Sequence, residues 1–342
     1  MSALRVAWVI YGSLDQVSGG YIYDRLVVEQ LRALGDTVTV LSLEPNGGRL
    51  PQLRADEYDV VVGDELCFRE LGPMFQSAPA SVRRVLLIHH LSAWEHPPGP
   101  LHDQLLALEK TAIDAADVCV ATSHVTAARL EHEGLAQGTT VAEPGADRFA
   151  RPPSIAQESP SGRLRLLFVG NILARKRVLE LTRAFARLSD ARVELVLVGA
   201  ELERDYAARV HAFVADAQIA DRVHWLGPLD AAEVAEQLSL ADTLVLPSLL
   251  EGYGMVLSEA LWAAVPFIAA RVGAAEALVS RTGAGLLYEP NDASGLDATL
   301  GRFTADRALR EQLRHAAWDS AEHLPRWRNT ALALRATLPK SR

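Results

Sequence analysis

Short runs of β-branched and leucine residues alternate with helical patterns along the whole chain. The first example is an apolar run at residues 6–10, a glycine-bearing loop, and an amphipathic segment that Gly35 ends. This alternation is typical of βαβ units, whose parallel strands form one buried sheet. The sequence therefore predicts an α/β fold.

The length of the chain, 342 residues, favours two domains of about 150 residues each over a single core. Residues 151–162 are dense in Pro, Ser and Gly, which marks a linker. The pattern of strands and helices then restarts with an apolar run at residues 164–169. We therefore predict an N-terminal domain over residues 1–155 and a C-terminal domain over residues 156–342.

The chain is acidic, with a formal net charge of −9, which argues against a nucleic-acid-binding surface. The two cysteines, Cys67 and Cys119, are far apart and predict reduced thiols in the core, without a disulfide framework or zinc site. No apolar run reaches the roughly 18 residues that cross a membrane, and the first residues lack a signal-peptide pattern. A cytoplasmic protein with at most peripheral membrane contact is expected.

Two glutamates, Glu251 and Glu259, lie within residues 246–261, where an apolar strand runs into a glycine-bearing loop and then a helix. Gly252 and Gly254 place Glu251 on the loop, and Glu259 then falls in an early turn of the helix. Both acids would flank the crevice where open α/β sheets bind ligands. A glycosidase acid/base pair is an alternative, but it needs two facing carboxyl groups at a defined separation.

A cationic turn follows the first strand of the second half. After Gly170 the chain places Arg175, Lys176 and Arg177 between a strand and a helix. Cations combined with the positive end of a helix dipole suit a diphosphate. A solvated charged surface is the alternative interpretation.

Two further features lie in the first half. Gly19 and Gly20 end a strand-to-helix loop, which can face a phosphate or sugar or can simply be a flexible turn. His89 and His90 end a buried strand, on opposite faces, so one can reach the crevice while the other packs, or both can be structural. The helical spacing of metal ligands is missing, so no metal site is predicted.

These motifs, with the Pro-Gly-Ala-Asp turn at residues 144–147, occur together and in a fixed order. In this the chain resembles the retaining nucleotide-sugar glycosyltransferases of the GT-B fold, the glycosyltransferase group 1 family, over nearly its whole length. The resemblance implies two Rossmann-like domains facing a central cleft, the N-terminal one for the acceptor and the C-terminal one for the donor. It also implies that the last helix crosses back to the N-terminal domain.

The resemblance further implies roles for individual residues. Lys176 would bind the donor diphosphate, Glu259 the ribose hydroxyls and Glu251 the donor sugar, while His89, preferred over His90, would contact the sugar near the reacting carbon. His89, Glu251 and Lys176 are the implied catalytic residues. Asn171 replaces the family's usual arginine, and Arg175 is expected to supply the missing cation. The other implied donor-binding residues are Gly19, Gly20, Gly170, Gly252, Tyr253, Gly254, Met255 and Val256.

The expected activity is retaining transfer of a sugar from a UDP- or GDP-linked donor to an acceptor hydroxyl. Cations that neutralise the leaving diphosphate make a metal unnecessary, no Asp-x-Asp triplet is present to hold one, and no cofactor is expected. A GT-B epimerase or phosphorylase, and a non-catalytic sugar-nucleotide-binding relative suggested by Asn171, are the alternatives. The acceptor is unknown; Phe68, Met74, Phe75 and Trp94 are either walls of its pocket or core residues.

Overall fold

The computed structural model describes residues 3–45, 50–155 and 162–338. Their contacts divide the chain into two units, one of residues 1–145 with 325–342 and one of residues 146–324. The predicted domain boundary, between residues 155 and 156, falls where the described residues stop, and residues 156–161 of the predicted linker lie outside them. Each unit contains one six-stranded sheet.

In the first unit, every strand pair is parallel and the sheet has the order β2-β1-β3-β4-β5-β6. The central strands are continuous apolar runs because helices cover both faces of a parallel sheet. Residues 6–10, for example, are completely buried. The elements are β1 (Arg5–Tyr11), α1 (Gly19–Ala33), β2 (Thr37–Leu43), β3 (Val60–Asp64), α2 (Phe68–Ser77), β4 (Arg83–Ile88), α3 (Pro100–Ala115), β5 (Val118–Ala121), α4 (His124–His132) and β6 (Thr140–Val141).

The second unit repeats this architecture with the parallel order β12-β11-β10-β7-β8-β9. Both orders are those of doubly wound, Rossmann-like sheets, so the predicted α/β class is confirmed. The elements are β7 (Leu164–Val169), α5 (Val178–Ala186), β8 (Val193–Val198), α6 (Arg204–Asp216), β9 (Val223–Gly227), α7 (Ala231–Leu240), β10 (Thr243–Leu246), α8 (Met255–Trp262), β11 (Phe267–Ala270), α9 (Ala275–Thr282), β12 (Gly285–Tyr288), α10 (Ala293–Ala305) and α11 (Arg307–Ser320).

The last helix, α12 (Trp327–Thr337), belongs to the first unit and packs on α1. Its Arg335 guanidinium lies 2.6 Å from the Asp36 carboxylate, and the Thr330 hydroxyl donates to the Glu143 carbonyl at 2.6 Å. Pro325 precedes the helix and separates it from α11. Among the described residues, no helix combines the length and apolar character needed to cross a membrane.

Helix α2 was not predicted from the sequence. Gly72 and Pro73 stand in its middle, and both residues normally weaken a helix. Gly72 instead allows close packing, since a Cβ there would lie 3.0 Å from the Thr111 side chain of α3. Met74 and Phe75 are buried in the core. Of the two alternatives given for these residues, the structure therefore supports core packing.

Candidate functional site

The second sheet reverses its strand order between β7 and β10, which are parallel neighbours. Open α/β sheets bind ligands at such a switch point, outside the carboxyl ends of the strands. Here the loops after β7 and β10 are hydrogen-bonded to each other, because the Leu249 amide donates to the Arg175 carbonyl at 2.8 Å. The topology therefore brings the cationic turn and the acidic motif together.

Lys176 and Glu251 form a buried ion pair at this point. The Lys176 ammonium lies 2.6 Å from the Glu251 carboxylate, and only 15% and 10% of the two side chains is exposed. Burial alone would raise the pKa of Glu251, but the charges of Lys176 and Arg175, together with hydrogen bonds to the carboxylate, lower that pKa below its ordinary value. Glu251 is therefore ionised at neutral pH and can accept hydrogen bonds, and the ion pair fixes the position of the Lys176 ammonium.

The loop after β7 packs closely against the end of β8. Gly199, at the end of β8, approaches Gly170 so closely that a Cβ on Gly199 would lie 2.0 Å from the Gly170 carbonyl oxygen. The Asn171 side-chain oxygen accepts a hydrogen bond from the Ala200 amide at 3.3 Å. Asn171 therefore connects this loop to the residue after β8 by a hydrogen bond. The replacement of the family's usual arginine by Asn171 did not predict this contact.

The predicted strand-to-helix turn of the cationic segment has a different form. Arg175 and Lys176 lie in a short 3-10 helix, Ala174–Lys176, and Arg177 adopts a left-handed conformation (φ 54°) directly before α5. Arg177 donates to the Pro290 carbonyl. Arg175 and Lys176 therefore lie against the loop after β10, at the switch point. Arg177 instead binds the loop that follows β12.

The glycine loop around Glu251 is supported by the loop after β11. The Ala274 amide donates to the Tyr253 carbonyl at 2.8 Å, and a Cβ on Gly273 would lie 2.9 Å from the Glu251 Cβ. Gly254 has φ 87° and stands immediately before α8, as a sharp turn into a helix requires. Three of the predicted donor-binding residues follow Gly252 in sequence. Tyr253 is buried, and Met255 and Val256, in the first turn of α8, are half-buried.

Glu259 is buried in α8, with its carboxylate 3.2 Å from the Arg148 guanidinium. Burial raises the pKa of Glu259 even though Arg148 acts in the opposite direction. The Arg148 segment is anchored to the same helix, because the Trp262 indole N–H donates to the Phe149 carbonyl at 2.8 Å. Sequence reasoning missed Arg148; its position directly after the turn at residues 144–147 was the only signal.

In the first unit, Gly19 and Gly20 are the first residues of α1, and His89 follows β4. A Cβ on Gly20 would lie 3.4 Å from the His89 ring, whereas one on Gly19 would meet nothing within 4 Å. The His89 amide donates to the Glu65 carboxylate at 2.9 Å. The side chain of Tyr23, also in α1, packs edge-on against the His89 ring with centroids 5.1 Å apart.

His90 has a different environment from His89. Its Nε2 atom lies 2.6 Å from the Glu95 carboxylate, so its ring is paired within the connection that follows β4. Trp94 in the same connection donates its indole N–H to Glu133 at 2.9 Å, and the Arg129 guanidinium covers its ring. Of the two histidines it is therefore His89, the one preferred from the sequence, that lies beside Gly20. A contact between His89 and a donor sugar stays a prediction.

Two buried acids that the sequence did not single out surround His89. Its Nε2 atom lies 3.5 Å from Asp24 Oδ1 and 3.9 Å from Asp64 Oδ2. Burial raises the pKa of Asp24 to about 7, and burial together with the Asp24 charge raises the pKa of Asp64 to about 7. Burial also lowers the pKa of His89. The available signals were weak: Asp64 ends an apolar strand, and Asp24 follows the Gly19-Gly20 loop.

Comparison with known proteins gives this geometry a family context. Residues 154–319 match the family model described as glycosyl transferases group 1. The chain is 29% identical over 247 residues to a glycogen synthase of Mycobacterium tuberculosis, covering 69% of this chain and 58% of that protein. It is 29% identical over 238 residues to a D-inositol 3-phosphate glycosyltransferase of Pseudarthrobacter chlorophenolicus, covering 66% and 56%. The matches thus span little more than half the length of these relatives.

Similar solved structures cover the chain almost completely. Sucrose-phosphate synthase from Thermosynechococcus elongatus has a TM-score of 0.82 and 22% identity, covering 97% of both chains. Anabaena HepE in complex with UDP-glucose has a TM-score of 0.78 and 18% identity, covering 98% of this chain and 99% of that one. The predicted fold class is confirmed: the chain has the GT-B fold, and its residues 154–319 match the model of the glycosyl transferases group 1 family.

Proposed function

We propose that this protein transfers a sugar from a nucleotide-sugar donor to an acceptor hydroxyl with retention of configuration. The observation that carries the proposal is the buried Lys176–Glu251 pair at the switch point of the second sheet, within the segment that matches the family model. A buried cation and an ionised acid at this position offer one group for a phosphate and one for a sugar hydroxyl.

The chemistry requires positive charge where the leaving diphosphate forms. Lys176 and Arg175 lie in the loop after β7, immediately before the N-terminus of α5, whose dipole adds partial positive charge. Fixed positive groups in a buried site stabilise charge that develops in the transition state. The proposal therefore includes no metal ion at the diphosphate.

The two glutamates take separate roles in this proposal. Glu251 stays ionised because of its cationic neighbours and accepts a hydrogen bond from a hydroxyl of the donor sugar. Glu259 accepts hydrogen bonds from the ribose hydroxyls, and Arg148 orients its carboxylate. Neither glutamate transfers a proton to the glycosidic oxygen, so a glycosidase mechanism is not proposed.

In the transfer step, the acceptor oxygen forms a bond to the anomeric carbon on the face that the phosphate leaves. The bond from the anomeric carbon to the phosphate oxygen breaks, and that oxygen takes the proton of the acceptor hydroxyl. The products are the glycosylated acceptor and the nucleoside diphosphate. A cytoplasmic location is part of the proposal and is consistent with two free cysteines, Cys67 and Cys119.

The test is a donor and acceptor screen on the full chain. UDP-sugars come first because the HepE structure contains UDP-glucose, followed by GDP- and ADP-sugars. Acceptors begin with D-inositol 3-phosphate and a glucan, after the names of the relatives. Nucleotide release is measured by a coupled assay, and the anomeric configuration of the product by NMR.

Release of nucleotide with a product of unchanged configuration supports the proposal. An inverted product contradicts retention, and an isomerised nucleotide sugar indicates an epimerase instead. Tight binding of a nucleotide sugar without turnover, for every donor and acceptor tested, favours a non-catalytic binding protein.

A further inference from the structure

Three potential metal ligands meet at the carboxyl edge of the first sheet. Asp24 projects from α1, Asp64 is the last residue of β3, and His89 follows β4, the parallel neighbour of β3. One ligand atom from each residue lies within 4.8 Å of the other two. We call these residues the Asp24–Asp64–His89 cluster.

The cluster is buried and its polar atoms are unsatisfied. The side chain of Asp24 is 0% exposed, that of Asp64 1% and that of His89 13%. Both Asp24 oxygens, Asp64 Oδ2 and His89 Nε2 have no hydrogen-bond partner among the described residues. The other Asp64 oxygen accepts from the Leu66 amide at 2.8 Å, so it is Oδ2 that is available to the cluster.

Neither aspartate forms an ion pair with a lysine or arginine in the part of the chain that the structure describes. Buried carboxylates are normally paired with a cation, bound to a metal, or neutralised by a proton. Two ionised carboxylates side by side in a buried site repel each other, which makes a positive charge between them strongly favourable.

From this geometry we propose that Asp24, Asp64 and His89 bind one divalent transition-metal ion, such as Zn²⁺ or Mn²⁺. Carboxylate and imidazole ligands lie about 2.0–2.2 Å from zinc, so ligands of one ion stand closer together than 4.8 Å, and the separations of 3.5 and 3.9 Å need only a small contraction. The imidazole ligand favours Zn²⁺, and the two carboxylates also suit Mn²⁺, whereas Mg²⁺ prefers a set of oxygen ligands.

The surroundings already hold the ligands in place, as metal sites require. Glu65 fixes the His89 amide, the Thr126 hydroxyl donates to the His89 carbonyl at 3.3 Å, and Tyr23 packs against the ring. The bound ion would fix the position of the His89 ring beside Gly20. This inference concerns the first unit and does not depend on the proposed sugar transfer.

The experiment uses the full chain after removal of metals by EDTA and gel filtration. Binding of Zn²⁺, Mn²⁺ and Mg²⁺, each as the chloride, is measured by calorimetry, by metal content after ultrafiltration, and by the thermal midpoint. Variants are Asp24→Asn and Asp64→Asn, and the control is Asp114→Asn, an exposed aspartate of α3 paired with Lys110.

We expect one Zn²⁺ or Mn²⁺ per chain, a higher thermal midpoint with that metal, and little effect of Mg²⁺. The Asp24→Asn and Asp64→Asn variants should bind about tenfold more weakly or worse and lose the thermal shift, while Asp114→Asn behaves as the wild type. Because each Asn substitution removes repulsion, the metal-free variants should melt no lower than the metal-free wild type, which separates loss of binding from misfolding.

The proposal is overturned if the metal-free wild type binds no stoichiometric Zn²⁺ or Mn²⁺ when either is added and its thermal midpoint does not respond to them. It is equally overturned if Asp24→Asn and Asp64→Asn bind either metal as tightly as the wild type. The two aspartates would then share a proton instead of a metal ion.

Discussion

The Lys176 ammonium and the Glu251 carboxylate, 75 positions apart in the sequence, lie 2.6 Å apart in a buried ion pair. The two residues meet because β7 and β10 are adjacent and parallel, so that their carboxyl ends face the same way. Both residues lie in the segment that matches the family model. Its consequences can be measured separately for stability, pH dependence and function.

Replacing Glu251 by Gln should destabilise the protein by roughly 1–3 kcal/mol, because the buried Lys176 charge loses its counterion. Urea unfolding measures the change. Glu311→Gln is the matched control, since Glu311 pairs with Arg307 on the surface of α11 and should change stability by less than about 0.5 kcal/mol. Equal stability of the two variants would show that the Lys176–Glu251 pair does not contribute.

The same comparison predicts a pH dependence. The pKa of Glu251 is lowered in the folded protein, so its stabilising effect is complete above the unfolded-state value of about 4.3 and is lost as the pH falls through the lower folded-state value. The stability difference between wild type and Glu251→Gln should therefore be largest near neutral pH and shrink below about pH 4. A difference that stays constant over this range would contradict ionisation of Glu251 as its source.

Replacing Glu259 by Ala should weaken the binding of free nucleoside diphosphate by about 1–3 kcal/mol, or roughly 5- to 150-fold, if its carboxylate binds the ribose. Calorimetry measures the affinity. Glu236→Ala, at an exposed position of α7, serves as the control and should bind as the wild type does. Unchanged affinity of Glu259→Ala would exclude the ribose role.

Replacing Gly199 by Ala should displace the loop that carries Gly170, since the new Cβ would overlap the Gly170 carbonyl. We expect a lower thermal midpoint and weaker nucleotide binding. Gly301→Ala is the control within α10, where a Cβ meets nothing within 4 Å and alanine should stabilise the helix by about 0.5–1 kcal/mol. Wild-type nucleotide affinity in Gly199→Ala would show that the close approach is unimportant.

Much of the fold was predictable because buried parallel strands are continuous apolar runs. The apolar run at residues 164–169 coincides with β7, and the run at residues 6–10 lies within β1. Helix α2 was missed because Gly72 and Pro73 obscure a helix that packing against α3 stabilises. Local sequence patterns thus predicted these strands, whereas helix α2 depends on tertiary contacts with α3 that no local pattern shows.

The candidate site was predictable only in part. Lys176 and Glu251 could be predicted as candidates because each follows a strand and carries a charge suited to a nucleotide sugar, although their mutual contact depends on strand order. Arg148, Asp24 and Asp64 were missed because their partners are distant in sequence: Arg148 pairs with Glu259, and the two aspartates meet only when α1 and β3 are adjacent. Long-range pairing of this kind leaves no spacing in a single sequence.

The most direct measurement of the central claim is the rate of nucleotide release from the preferred donor by the Lys176→Ala variant. Lys110→Ala, which removes an exposed lysine of α3 paired with Asp114, is the matched control. In the proposed mechanism Lys176 supplies positive charge to the leaving diphosphate, so we predict a loss of about 10²-fold or more in kcat for Lys176→Ala and an unchanged rate for Lys110→Ala. Equal rates for wild type, Lys176→Ala and Lys110→Ala would contradict the proposed role of the Lys176–Glu251 pair in sugar transfer.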